Sequence, residues 1–263
     1  MADTLRDRCR WPVLPEPYAG ALRLAVEFTL AETEPLGIVA TGTVIRGEAH
    51  PASDIDLYVL HDAPHRRRVQ RFFQGVPTEI FINPPHAVRS YFPSEHRAGR
   101  RFTAHMLATG FVVLDRSPVV DQLRAESRGW LDRPDELSAA DAQRARYAAA
   151  THLEDGADTT PVDGAVAALL LAGAVTQMLE LFVRSRGRPI PRAKALVSEV
   201  AALDPSLGEM VSRFASATSP AERLDAAQQI GDRVLQARGF FEWDSGPEPV
   251  PSVVDSASPR GSA

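Results

Sequence analysis

Residues 41–60, TGTVIRGEAHPASDIDLYVL, constrain this chain most, because they hold side chains that core packing does not call for. An apolar run, Gly37-Ile38-Val39-Ala40, leads into Gly42-Thr43, and after a short polar segment Ser53-Asp54-Ile55-Asp56 opens a second run, Leu57-Tyr58-Val59-Leu60. On a strand, alternate side chains share a face. Asp54 and Asp56 would then point one way, with Cα atoms roughly 6–7 Å apart, and Ile55, Leu57 and Val59 the other. Like charges held that close repel, and a bound cation is the usual relief. With no His or Cys beside them, these hard oxygen ligands suit magnesium better than zinc. Upstream, Gly42-Thr43 falls where a strand would turn into a helix, and a small residue there lets backbone N–H groups approach a phosphate. The stretch therefore predicts a triphosphate held at one end and metal at the other.

These residues resemble the polymerase-beta-like nucleotidyltransferase superfamily. Its pattern is a Gly-Ser, here Gly42-Thr43, a spacer, Asp-x-Asp on the next strand, and a third acid on a later one. Residues 75–82, GVPTEIFI, read as a short β-rich run with one carboxylate, so Glu79 is the candidate third acid, as metal ligand or base. Arg46-Gly47-Glu48-Ala49 and Ser53-Asp54-Ile55-Asp56-Leu57 look most like the small bacterial enzymes that adenylylate aminoglycosides and like minimal, antitoxin-type nucleotidyltransferases. The resemblance covers residues 20–116, with Thr43 in place of the commoner Ser and Glu where many members have Asp. It implies two Mg²⁺ ions on Asp54, Asp56 and Glu79, and a nucleoside triphosphate, ATP, held through Gly42, Thr43 and Ser53. The implied acceptor is a hydroxylated small molecule such as an aminoglycoside. A regulatory or antitoxin-like protein that modifies or binds a protein partner is the alternative, with a homodimer or a helical protein partner as the associations to test.

The alternation of helix and strand over residues 18–116 predicts an α/β (α+β) fold in which a small mixed sheet carries the site. Residues 1–17 hold three prolines close together and predict an extended arm. Residues 18–32 carry apolar residues at helical spacing, and residues 64–73 read as a helix started by Pro64 and ended before Gly75. Their arginines could steer a triphosphate or contact RNA, but such a run more often lines a solvated helix face. Helices are expected at 86–92 and 96–107, Gly110 capping the second, then a strand at 111–114.

Near residue 133 the texture becomes Ala-, Leu- and Arg-rich, which divides a nucleotidyltransferase domain (18–133) from an all-helical bundle domain (134–244), with a disordered Pro-, Ser- and Gly-rich tail at 245–263. Helices are expected at 138–154 and 162–184, and from residues 192, 206 and 220. Asp163, Gln177 and Glu180 make the second of these too polar for a membrane helix, and no run long enough to span a bilayer is expected. A net charge of -5 and a pI near 5.8 argue against a general nucleic-acid binder. One cysteine, Cys9, excludes an internal disulfide framework and points to the cytoplasm.

Four further features bear on the site. Arg188 to Lys194 gathers cations at a helix start, where the macrodipole disfavours them, so Lys194 or Arg192 is a candidate phosphate contact. Glu154 is a candidate general base, because the resembling aminoglycoside enzymes sometimes draw that carboxylate from the helical domain. Arg146 and His152 have a spacing found in helical ribonucleases, but such pairs are common by chance. His96 and His105 lack a third partner at ligand spacing and read as surface or packing residues.

Overall fold

The computed structural model describes residues 5–50 and 52–247. They divide into two compact units. One holds the described residues up to Leu137 together with Val183–Glu199; the other holds Ser138–Phe182 and the described residues from Val200 onward.

The first unit is built on a five-stranded mixed sheet in the order β3-β4-β2-β1-β5. Its elements are α1 (Tyr18–Glu32), β1 (Pro35–Thr41), β2 (Ile55–His61), β3 (Arg67–Phe73), β4 (Val76–Asn83), α2 (Pro85–Arg97), α3 (Phe102–Thr109), β5 (Phe111–Asp115) and α4 (Val119–Leu131). Strand β2 is central and buried along its whole length. Its period-two alternation assigns residues to two cores. Ile55, Leu57 and Val59 join Ile80 and Ile82 of β4 and Ala21, Leu22, Ala25 and Val26 of α1 in one cluster. On the other face, Tyr58 and Leu60 pack with Val88 and Phe92 of α2, Met106 and Leu107 of α3, and Leu123 of α4. The arm expected at 1–17 is seen from Leu5: Leu5 joins the α1-side cluster, Cys9, Trp11 and Leu14 pack against it, and the Arg10 amide donates to the Val113 carbonyl at 2.7 Å.

Residues 64–73 correct the sequence expectation. They form no helix; Arg67–Phe73 is an edge strand paired antiparallel to β4. The pair closes through Gln74 and Gly75, both at positive φ (48° and 77°), the backbone that a two-residue hairpin turn needs. Helical and strand readings compete because the arginines hide the alternation. In the strand, Val69 and Phe73 pack toward α1, while Arg68 and Gln70 face the other side with Glu79. A cationic outer strand also resists pairing with a further chain. The Gly42-Thr43 segment differs too: it is a turn and not a helix start, closed by bonds from Arg46 N to Gly42 O (3.4 Å), Gly47 N to Val44 O (3.2 Å) and Glu48 N to Thr43 O (2.9 Å).

In the first unit, the segment between α6 (Gly164–Arg184) and α7 (Ala193–Leu203) is tied by Ile190 N to Gly99 O (2.8 Å) and Arg100 Nη1 to Pro191 O (3.2 Å). Arg184 Nε bonds Asp135 Oδ2 at 2.8 Å, with the Asp135 side chain wholly buried. A buried carboxylate stripped of its guanidinium costs about 3–5 kcal/mol. Arg184→Ala should therefore lower the denaturant-unfolding free energy by about that amount; a loss below about 1 kcal/mol would show the pair to be dispensable.

The second unit is helical. Its α5 (Ala139–Thr159) is capped by Ser138, whose hydroxyl accepts from Asp141 N at 3.0 Å; α8 (Pro205–Ser216) is capped by Asp204, and α9 (Pro220–Val234) carries a Ser219–Glu222 capping box. Helix α6 overturns the expectation that no run is long and apolar enough to cross a membrane: its mean hydropathy reaches 2.0 over such a length. Gln177 and Glu180 are too few to lower that average. Half of that window is buried in the fold, with Ala167, Leu171, Ala174 and Met178 inside, as befits the central helix of a packed unit. Of the tail expected at 245–263, residues 248–263 lie outside the described residues.

Candidate active site

The site lies on the sheet face opposite α1. Asp54 is exposed just ahead of β2, and Asp56 is the second residue of that strand, 7% exposed. Parallel pairing of β2 with β4 sets Asp56 directly beside Glu79. The turn from β1 brings Gly42 over the same point: a Cβ there would lie 3.4 Å from Asp56 Oδ2 and 3.6 Å from Asp54 O. Gly42 has φ +104°, a conformation that side-chain-bearing residues rarely adopt.

Burial foremost, then the Asp54 and Glu79 charges, push the Asp56 carboxyl up to about 6 from an ordinary 3.8; Arg192 and Arg68 oppose them. Glu79 is engaged through Oε1: Arg68 forms an ion pair with that oxygen and Gln70 Nε2 donates to it at 3.0 Å. Both partners come from β3, the strand that sequence reasoning reads as a helix. The signal that could have found them is the Gln74-Gly75 turn between two short β-rich runs.

Thr43 and Ser53 meet at 3.1 Å between hydroxyl oxygens, and Ser53 Oγ accepts from the His50 amide at 2.9 Å, which holds the two ends of the turn together. Arg46 rises from the same turn; its Nε donates to Glu48 at 3.3 Å, and its Nη1 is buried with no hydrogen-bond partner. Burial, then the Arg46 and Arg192 charges, hold His105 below the usual histidine range, against Glu48. Arg46 and Arg192 are therefore close enough to one imidazole to act on it, and Arg192 to Asp56 also. Lys194, two residues beyond Arg192, is exposed.

The remaining candidates stand elsewhere. Glu154 belongs to the second unit, in mid-helix on α5 and not at a helix end, with Gly239 packed against its Cβ. In that unit Arg146 Nε donates to Leu235 O at 2.7 Å and its guanidinium lies 4.0 Å over Phe241, while His152 Nδ1 sits 3.2 Å from Gln177 Oε1, so both are used in packing. His96 bonds the Pro134 carbonyl at 3.0 Å and edges onto Trp130.

Asp54 and Asp56 fit a hard dication: the donors are carboxylate oxygens, and after burial it is the Asp54 charge that raises the Asp56 carboxyl. Glu79 stands beside them with Oε1 held by both Arg68 and Gln70, so Oε2 is the oxygen it would offer to a metal. Among the described residues no group of three or more His, Cys, Asp or Glu side chains is assembled as a metal cage.

Residues 22–100 match the model of the nucleotidyltransferase domain family. Among solved structures, the chain is similar to a nucleotidyltransferase-like protein from Exiguobacterium sibiricum 255-15. Identity is 14%, over 82% of this chain and 74% of that one, with a TM-score of 0.50, a likeness of fold alone. No curated protein matches the chain.

Proposed function

We propose, for a chain whose residues 22–100 carry a nucleotidyltransferase domain, that it moves AMP from ATP onto a hydroxyl of a small molecule and releases pyrophosphate. The observation that supports this most is the buried Asp56, set in register with Glu79, two residues from Asp54 and under the Gly42 turn. Nothing in the packing of the sheet requires three carboxylates at that point.

In this reading the Gly42-Thr43 turn, with Ser53 behind it and Arg46 and Arg192 supplying positive charge, binds the β- and γ-phosphates. Lys194, in the first turn of α7, is a weaker candidate than Arg192 just ahead of it. Asp54 and Asp56 would hold magnesium, two ions with the help of Glu79 through Oε2, and the metal would offset the charge of the triphosphate and of the carboxylates. The acceptor oxygen bonds to the α-phosphorus as the bond from that phosphorus to the bridging oxygen breaks. Pyrophosphate leaves with the electron pair, and Glu79 takes the hydroxyl proton. Glu154→Gln tests the other base: unchanged turnover would leave the role with Glu79. The cytoplasm, where ATP and magnesium are plentiful, is the compartment this chemistry suits.

Calorimetric titration of the four ribonucleoside triphosphates, with and without Mg²⁺, tests the assignment. One nucleotide should bind in a metal-dependent way to the wild type and not to Asp54→Asn; metal-independent binding, or equal binding by the variant, would overturn it. Arg68→Gln should tighten Mn²⁺ or Mg²⁺ binding in the absence of nucleotide by about tenfold, about 1.4 kcal/mol, because it takes the guanidinium off Glu79 Oε1 and a positive charge away from Asp56. Unchanged or weaker binding would remove Glu79 from the metal set.

A further inference from the structure

A cavity of about 480 Å³ opens on the same sheet face, one step along the strands from the acids. Asp56 and Tyr58 alternate on β2, Glu79, Phe81 and Asn83 on β4, and the register pairs Asp56 with Glu79 and Tyr58 with Phe81, so acids and cavity share one continuous surface. The volume is that of a site for a drug-sized molecule. Its walls are aromatic: Tyr58 and Phe81 lie nearly parallel, 12° and 6.0 Å between centroids, and Phe102 meets Phe81 edge-on at 5.8 Å.

Two hydrogen-bond donors of the lining lack acceptors. Tyr58 is 1% exposed and its hydroxyl has no hydrogen-bond partner. The neighbouring Thr103 hydroxyl gives its own proton to Glu95 at 2.5 Å. Asn83 accepts from Tyr91 at 3.1 Å through Oδ1, which leaves its amide N–H groups for a ligand. A buried donor left unpaired is costly, so an acceptor atom placed there recovers free energy.

Charge decides the class of ligand. Arg66, Arg67 and Arg68 line the mouth; Arg67 pairs with Glu32 and Arg68 with Glu79, and no ion pair to Arg66 is formed among the described residues. The one carboxylate of the lining, Glu95, has its oxygens taken by the Thr103 amide (2.8 Å) and hydroxyl. A polycation would meet guanidinium at the mouth and no free carboxylate inside.

We propose that the pocket of Tyr58, Phe81, Asn83, Tyr91, Glu95 and Phe102 is the acceptor subsite, and that it takes a flat, hydroxyl-bearing molecule that is neutral or anionic. This rests on the nucleotidyl-transfer reading. In-line attack adds support: the Gly42-Thr43 turn lies at the start of β2, so pyrophosphate departs toward that end and the acceptor comes from the opposite side, where Tyr58 and Phe81 stand. Aminoglycosides, the class implied by the sequence resemblance, are polycations and do not meet this pocket's charge.

The test uses the full chain and three probes: N-acetyltyrosinamide, 4-hydroxybenzoate and the polycation kanamycin, each titrated by calorimetry with and without Mg·ATP. At least one aromatic probe should bind. Tyr58→Phe, which removes one hydroxyl, and Phe102→Ala, at a ring already 43% exposed, should each weaken it about five- to tenfold. Phe72→Ala, a change at a ring 72% exposed on the neighbouring edge, should leave it unchanged. Tighter binding of kanamycin, no aromatic binding, or aromatic binding indifferent to both pocket variants overturns the proposal. Mg·ATP binding is read on the same samples: if the wild type binds none, nucleotidyl transfer fails and the acceptor assignment with it, whatever the probes do.

Discussion

Asp56→Asn is expected to abolish nucleotidyl transfer, by about 10²–10³-fold or more, while making the metal-free protein more stable at neutral pH. Burial and the Asp54 and Glu79 charges raise the folded-state value of Asp56 from 3.8 to about 6. Protonated Asp56 therefore contributes stability that is fully present below the ordinary aspartate value and is lost as pH rises through about 6. At pH 7.5 the metal-free protein carries the whole cost of the buried charge, at most about 3 kcal/mol for the rise from 3.8 to about 6. Asparagine keeps the shape and removes that charge. Thermal unfolding in the presence of a chelator should show the variant above the wild type at pH 7.5, with the gap closing as pH falls toward 4. The same titration makes metal-dependent nucleotide binding weaken as pH drops through about 6, because a proton competes for the carboxylate. Equal melting points at both pH values, together with retained nucleotide binding, would show that Asp56 carries no such burden and holds no metal.

The second large effect is expected at Gly42. With φ at +104°, Gly42→Ala strains the turn, and its Cβ would stand in contact with Asp56, 3.4 Å from Oδ2. The backbone contribution is of order 1–3 kcal/mol. A shift of the turn that relieves this strain moves the backbone packed on the carboxylate and should cost turnover about 10²-fold, since positioning is what such a site supplies. Gly47→Ala is the control: it has φ +79° in the same turn but nothing within 4 Å of its Cβ. Gly47→Ala should lose stability with a much smaller loss of turnover per remaining folded molecule. If the two variants lose activity in proportion to stability alone, the contact of Gly42 with Asp56 has no functional weight.

The parts of the fold that are legible in the sequence are those whose signal is local. Helix α1 is read at its observed bounds because apolar residues recur at helical spacing, of which Leu22, Ala25 and Leu30 are buried. The starts at Pro205 and Pro220 carry their own caps, Asp204 and Ser219. Strand β3 is not legible, since its side chains answer to partners far off in the sequence: Arg67 to Glu32, Arg68 to Glu79, Arg71 to the face of Phe28. Helix α4 is hidden between a turn and a change of texture, although Arg124 on it donates to the Leu107 and Gly110 carbonyls at 3.1 and 3.0 Å, closing the end of α3. No local pattern announces a cap supplied from another helix.

What the sequence alone determined is the chemical inventory: paired acids at the head of a strand, a small residue and a hydroxyl ahead of them, and an acidic residue in a third β run. Composition and spacing suffice for that, because alternation on a strand is a property of the backbone. Only the tertiary structure decided how that inventory is arranged. Parallel pairing of β2 with β4 sets Glu79 beside Asp56, β3 places Arg68 and Gln70 on Glu79, and the return of residues 183–199 to the first unit brings the charge of Arg192 to Asp56. The same register lines Tyr58 against Phe81 and leaves a phenol without a partner. The physical reason is that register and long-range pairing are set by the summed burial of whole strands and helices, which no single segment encodes.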